Sequence, residues 1–184
     1  MRAPLRLSLL SLALILAASA VAQGQTAGPI GFSPGAAAEV GFSPGGTAET
    51  LVVKVINAAH ASILCAAYEF TSRPITRALI AASVRGVKVY LVADAREAQG
   101  RYSQTRELSQ AGISVRLDAR YEIFHHKFLV VDRRDIETGS FNYTASAVAH
   151  NAENVLVIWN DRPLATVYTA EWTALWDQSR PLQY

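Results

Sequence analysis

The chain has 184 residues, with 17 Lys and Arg against 15 Asp and Glu, for a formal charge of +2. At 51% hydrophobic it is too apolar for a disordered tail, and its single cysteine excludes an intrachain disulfide. The charge also falls short of the basic balance of a tight nucleic-acid binder, the more so because Arg2 and Arg6 sit in a removable segment, without which 15 basic face 15 acidic residues.

That segment comes first in the chain. Arg2 and Arg6 precede and enter an apolar run, residues 7–18, and Ala20-Val21-Ala22 supplies a small-residue cleavage site. This is the pattern of a secretory signal peptide over residues 1–22. The run is short for a bilayer crossing, so the mature chain is expected to be periplasmic or secreted, with no stable membrane span. An uncleaved anchor is the alternative. Residues 23–37, rich in Gly, Ala, Gln and Pro, read as a flexible leader, and residues 38–184 as one domain. Gly31-Phe32-Ser33-Pro34-Gly35 recurs as Gly41-Phe42-Ser43-Pro44-Gly45. The second copy runs into a helix and is assigned to the fold. The first is either a decorative repeat or an alternative register for the edge strand.

Thr47 is the expected N-cap of a helix reaching His60, with Leu51, Val52, Val55, Ile56 and Ala59 at helical spacing. Residues 62–70 read as a strand containing Cys65, a buried free thiol. Pro74 opens a second helix that Gly86 stops. A buried strand, 87–92, precedes a weaker helix over 100–111 and a strand over 113–117. The nearly continuous apolar run 124–131 predicts a buried strand, and 137–141 a short one after the polar turn at Arg133-Arg134-Asp135. Residues 143–150 suit a helix and 155–159 a strand. Asp161-Arg162-Pro163 caps a last helix whose apolar side is Leu164, Val167, Tyr168, Trp172, Leu175 and Trp176. Alternating strands and helices imply an α/β sandwich around a mixed sheet, with the motif-bearing strand ends at one edge of it.

Chemistry concentrates between His125 and Asn142, which read H-x-K-x4-D-x6-G-S-x-N. Alternation along a strand puts His125 and Lys127 on one face, and Ser140 and Asn142 on one face of the next. Set side by side, an imidazole, an ammonium, a hydroxyl and a carboxamide suit a phosphate. A neutral imidazole can attack phosphorus near pH 7, and Lys127 can hold the charge on the non-bridging oxygens. The leaving alkoxide needs a proton, most economically from a second histidine. This chain has one such motif. His126 projects to the opposite face from His125, so the pair cannot chelate one metal ion, and a structural role is expected for it. His60 and His150 read as surface or capping residues. Arg96, Arg101, Arg106, Arg116 and Arg120 either line a groove or belong to a solvated mixed-charge surface.

The pattern resembles the HKD motif of the phospholipase D superfamily. The continuation from Glu137 to Thr144, then Asn151-Ala152-Glu153-Asn154 and Val157-Ile158-Trp159-Asn160, resembles its small bacterial periplasmic nuclease branch, as does Val40-Gly41-Phe42-Ser43-Pro44. The likeness covers roughly residues 38–180. It implies the family's α-β-α sandwich with a mixed, largely parallel central sheet. It further implies His125 as the nucleophile, Lys127 and Asn142 as binders of phosphate oxygens with Ser140 assisting, and Glu153 as the carboxylate that orients the histidine. Asp132 matches the motif's aspartate, mainly structural in that family. No metal or other cofactor is implied, and a single-motif chain completes its site as a homodimer, the partner copy's histidine serving as general acid. His126 departs from the usual non-histidine residue at its position. The activity implied is phosphodiester hydrolysis through a phosphohistidine, on DNA or RNA as a nonspecific endonuclease. Phospholipase D action on phospholipid head groups uses the same residues and is the alternative. A non-catalytic nucleic-acid or envelope-binding protein on the same fold is a third reading.

Overall fold

The computed structural model describes residues 28–183. The expected signal peptide, the start of the leader and Tyr184 lie outside the described residues. Eight strands form one sheet in the order β1-β7-β6-β5-β2-β3-β4-β8. These are β1 (Ala37–Ser43), β2 (Ser62–Ala67), β3 (Lys88–Asp94), β4 (Ser114–Asp118), β5 (Lys127–Val131), β6 (Asp135–Gly139), β7 (Glu153–Trp159) and the two-residue β8 (Arg180–Pro181). The helices are α1 (Thr47–Asn57), α2 (Arg73–Val84), α3 (Thr105–Gln110), α4 (Ala145–Ala149) and α5 (Arg162–Gln178). The expected α/β sandwich with a mixed sheet is found. Its balance differs from the expectation, because β2–β3 and β3–β4 are the parallel pairings and the other neighbours run antiparallel. The hairpin β5–β6 and the return of β7 beside it supply that antiparallel half. The motif-bearing strands consequently lie inside the sheet, not along its edge.

Each face of the sheet has its own apolar core. On one side α1 and α2 pack Leu51, Val55, Ile75 and Leu79 against Ile63, Leu91, Leu129 and Val157. On the other, α5 sets Ala165, Trp172 and Leu175 over Leu64, Val92, Phe128 and Val130. The Trp172 indole N–H donates to Cys65 O at 2.8 Å, hooking α5 onto β2. Cys65 itself is fully buried, as expected. On the α5 side Val40 and Phe42 of edge strand β1 stay more than half exposed.

Capping follows the sequence at α2, where Ser72 Oγ accepts from Ile75 N–H, and at α5, where Asp161 accepts from Leu164 N–H at 3.1 Å. It departs at α1. Thr47 is the first helical residue there, and its hydroxyl bonds the N–H and C=O of Phe42 at 2.8 Å each. That contact draws α1 so close to β1 that a Cβ on Gly41 would lie 2.6 Å from Thr47 O. Of the duplicated segments, the second enters β1 and leads to α1. The first forms a turn closed by Ala36 N–H to Ser33 O, with Ser33 N–H donating to Asp161 at 3.3 Å.

Candidate active site

Residues 124–131 were expected as one strand, yet the ladder begins at Lys127, opposite Ala67 of β2. Phe124 N–H is instead taken by the Asp94 carboxylate at the end of β3, 3.0 Å away. Asp94 also receives Arg96 and Glu97 N–H, so one buried carboxylate fixes both the loop after β3 and the approach to β5. His125 therefore stands exposed on an extended segment just before β5, while the following Lys127 is 7% exposed.

The Lys127 ammonium donates to His125 O at 2.8 Å and lies 5.3 Å from the centre of the Tyr68 ring. Burial lowers it to about 8, against the pull of the Glu153 and Glu69 carboxylates, which favour the charged form. The same Tyr68 ring stands 4.8 Å from the His125 imidazole, tilted by 53°. Its hydroxyl donates to Glu97 at 3.4 Å, and burial followed by the nearby Glu97, Glu69 and Asp94 raises its pKa. Tyr68 thus forms the floor under both motif residues. The motif spacing carries no sign of it; the cue is its place one residue beyond Ala67, which the pairing sets opposite Lys127.

On the neighbouring strands the carboxylate and hydroxyl meet. Ser140 Oγ donates to Glu153 Oε2 at 2.6 Å and accepts from the Asn154 backbone N–H at 3.1 Å. Glu153 Oε1 accepts from the Asn151 amide at 3.0 Å. The resemblance implies a bond from Glu153 to the histidine; here its short bond goes to Ser140, and its charge reaches Lys127. Asn142 lies between two fully buried rings, Phe141 and Tyr143, and its Oδ1 is buried with no hydrogen-bond partner among the described residues. Strand β6 covers Asp135–Gly139 where 137–141 was expected. Ser140 and Phe141 N–H both turn to Asn154 O, so pairing with β5 stops and the chain bends toward the cleft. Gly139 permits the bend, since a Cβ there would lie 2.1 Å from Asn154 O.

Asp132 is not brought to the site. It ends β5 at the far side, where its carboxylate accepts from His60, Ala61 and Ser62 N–H at 2.9, 2.7 and 2.9 Å. Burial pushes its pKa up, but the three amide bonds together with Arg134 outweigh that and hold it below the ordinary value. The motif's aspartate thus holds the fold here and does not join the candidate catalytic side chains, and His60 serves through its backbone. His126 faces α5, edge-on to Phe124 and Phe128, with Nε2 3.7 Å from Glu171. Burial lowers its pKa while Glu171 pulls the other way. Of the five arginines, Arg116 is turned away over Trp176, bonding Ser179 O. Arg96, Arg101, Arg106 and Arg120 are exposed.

Lys127, His125 and Ser140 open on a cleft of about 620 Å³ whose opposite wall is Val167, Tyr168 and Glu171 of α5. Among the described residues no group of three His, Cys, Asp or Glu side chains is arranged to hold a metal ion, and no helix is long and apolar enough to cross a membrane.

A buried Lys, an exposed imidazole and two neutral polar side chains are groups whose chemistry suits a phosphate ester. The chain belongs to the phospholipase D-like family, matching over residues 52–176 the family described as "Cardiolipin synthase, PLD-like domain". It is similar to the Rickettsia prowazekii protein named phospholipase D, 42% identical over 121 residues, which cover 66% of this chain and 58% of that one. It is 35% identical to the human mitochondrial cardiolipin hydrolase over 133 residues, 72% of this chain and 52% of the relative. The chain thus spans a little over half the length of these relatives. Among solved structures, the phospholipase D family member Nuc from Salmonella typhimurium superposes with a TM-score of 0.79 at 40% identity, covering 81% of this chain and 99% of Nuc.

Proposed function

We propose that this chain is a metal-independent phosphodiesterase that forms a phosphohistidine on His125, and that nucleic acid is its substrate. The observation that carries the reading is the convergence of the exposed His125 imidazole, the buried Lys127 ammonium and Ser140 on one cleft, with Asn142 two residues beyond Ser140 on the segment that leaves β6. Lys127 and Asn142 hold the non-bridging oxygens, and Ser140 assists while tied to Glu153. The imidazole nitrogen attacks phosphorus as the P–O bond to the leaving alkoxide breaks. The proton for that alkoxide comes from His125 of a second copy, which then takes one from the water that hydrolyses the phosphohistidine. A homodimer is required because one chain carries one such histidine. The uncovered face of β1, with Val40 and Phe42, offers apolar surface beside the cleft for that pairing. Export to the periplasm or medium follows from residues 1–22.

The resemblance of the motif and its flanking strands to the small bacterial nuclease branch supports nucleic acid, and the chain matches nearly all of Nuc. The names of the rickettsial and mitochondrial relatives, with the apolar Val167 and Tyr168 wall, support phospholipid as a second reading. The test is plasmid cleavage by residues 23–184 in excess EDTA, with His125→Ala as control and the oligomeric state measured by sedimentation. Nicking by a dimer, lost in the variant, is expected. A folded dimer that leaves DNA and RNA intact but hydrolyses cardiolipin vesicles moves the substrate to lipid. A fully active monomer overturns the shared-site mechanism.

A further inference from the structure

Glu137 is a fully buried carboxyl in the middle of β6, set between Leu129 of β5 and Val157 of β7. One oxygen accepts from the Tyr143 hydroxyl at 2.6 Å, and the other is buried with no partner among the described residues. A hydrophobic residue would fill this position at less cost, since an unpaired buried oxygen destabilises the fold. Nothing in the phosphoryl chemistry touches it. What it does touch is the next ring along the segment that holds the substrate-binding side chains.

The segment from Gly139 to Thr144 leaves the sheet after β6 and carries Ser140 and Asn142. Ser140 and Phe141 N–H hold its start to Asn154 O. Tyr143 O accepts from Thr71 and Ser72 N–H, and its ring packs on Phe70, so Tyr143 is the far anchor. Asn142, whose Oδ1 has no partner among the described residues, is placed by the buried rings on either side of it and by its own C=O, which accepts from Thr144 N–H at 2.7 Å. Among the described residues the Tyr143 hydroxyl has one hydrogen-bond partner, Glu137.

We propose that Glu137 is a positioning residue, which through the Tyr143 hydroxyl fixes the Gly139–Thr144 segment so that Asn142 and Ser140 meet the phosphate. The inference rests on the phosphodiesterase reading and extends it to a residue buried beneath the site. The titratable groups acting on Glu137 are Tyr143 and the Cys65 thiol of β2. Of the helices over this face, α1 and α4 bury apolar side chains, among them Val52, Val55, Ile56 and Ala147, while the half-buried Glu49 of α1 is taken up by the Ser72 hydroxyl at 2.6 Å. Burial therefore keeps the carboxyl protonated to about 8 despite the opposing tyrosine bond, so the anchor is a neutral acid–phenol pair at neutral pH.

The experiment compares Glu137→Gln, Glu137→Leu and Tyr143→Phe with the wild type at neutral pH. Turnover of a nitrophenyl phosphodiester is read alongside backbone amide NMR shifts of residues 139–144 and thermal melting. Expected are kcat losses of about tenfold in the Leu and Phe variants with KM little changed, rescue to near wild type by Gln, and shifted amides in the two impaired variants. Tyr143→Phe keeps the ring and carries the test if Glu137→Leu does not fold. A folded Phe variant with wild-type kcat, or a loss that Gln fails to rescue, overturns the proposal. Should the wild type prove inactive on every diester, the phosphodiesterase reading fails. The amide shifts then decide the anchor separately: unmoved in Tyr143→Phe, they overturn it.

Discussion

Replacing Asp132 by Ala removes one carboxylate that accepts three backbone amides at the start of β2. A hydrogen bond to a charged acceptor contributes about 1.5–3 kcal/mol, but His60 and Ala61 are exposed and water takes over their amides, leaving a net loss of about 2–4 kcal/mol. For a chain of this size that lowers the melting temperature by roughly 5–15 °C. The native carboxyl titrates below its unfolded value, so this stability is present above the ordinary carboxylate range and is lost as pH falls through the lowered native value. Activity responds differently. Asp132 lies five residues beyond Lys127, about 16 Å along an extended strand, on the wrong end of β5 for the phosphate. Urea or thermal melts should show the loss, while kcat measured well below both melting temperatures stays within about twofold of wild type. A variant with unchanged melting but kcat reduced tenfold or more would place Asp132 in the chemistry and refute the reasoning.

With Lys127 titrating at about 8, affinity for a phosphate analogue should fall about tenfold per pH unit above that point; calorimetry showing a flat response to about pH 10 contradicts the burial argument. Glu137, raised from 4.5 to about 8, keeps its proton when folded and loses it when unfolded, so wild-type stability declines between those values. Glu137→Gln should remove a pH-dependent stability change of about 5 kcal/mol from urea melts, and an unaltered pH dependence assigns it to another group. Gly139→Ala puts a methyl against Asn154 O and must part β6 from β7 by about 1 Å at the Ser140–Glu153 bond, so activity should drop about a hundredfold; a variant with full activity shows that the strands can part without disturbing the site. The Cys65 thiol, fully buried with its pKa pushed well up by burial and then by Glu137, should react with a disulfide reagent only at the rate of unfolding, and instant labelling of native protein disproves the packing.

The fixed gaps from His125 to Asn142 made the candidate site legible, because strand alternation and a short hairpin bring His125, Lys127 and Ser140 to one cleft. Periodicity likewise marked the faces of α1, α2 and α5. What escaped was set by partners distant in sequence. Asp94 captures Phe124 N–H across thirty residues and delays the start of β5 to Lys127. Thr47 abandons the cap of α1 because the β1 backbone is near enough to bond it twice. Apolar runs alone cannot tell parallel from antiparallel neighbours and gave only a mixed sheet; the expectation that it is largely parallel came with the family resemblance and does not hold for these pairings. Glu137 was counted as part of a motif string, since its polarity in a strand gives no hint that a tyrosine six residues on reaches back to it. Tyr68, outside the motif, became visible only through the β2–β5 register.

Strand β5 has β2 on one side and β6 on the other, with four strands of the sheet beyond and including β2. Its amides cannot exchange with solvent by fraying, since releasing it breaks two ladders and opens both apolar cores at once. Deuterium uptake at residues 127–131 should therefore be among the slowest in the molecule and report the opening of the whole fold. Many enzymes carry their chemistry on segments that loosen well before the rest melts. Here Lys127, the lysine proposed to hold the phosphate, is rooted in the last part to let go, so partial unfolding strips away the chain's periphery while leaving that lysine in place.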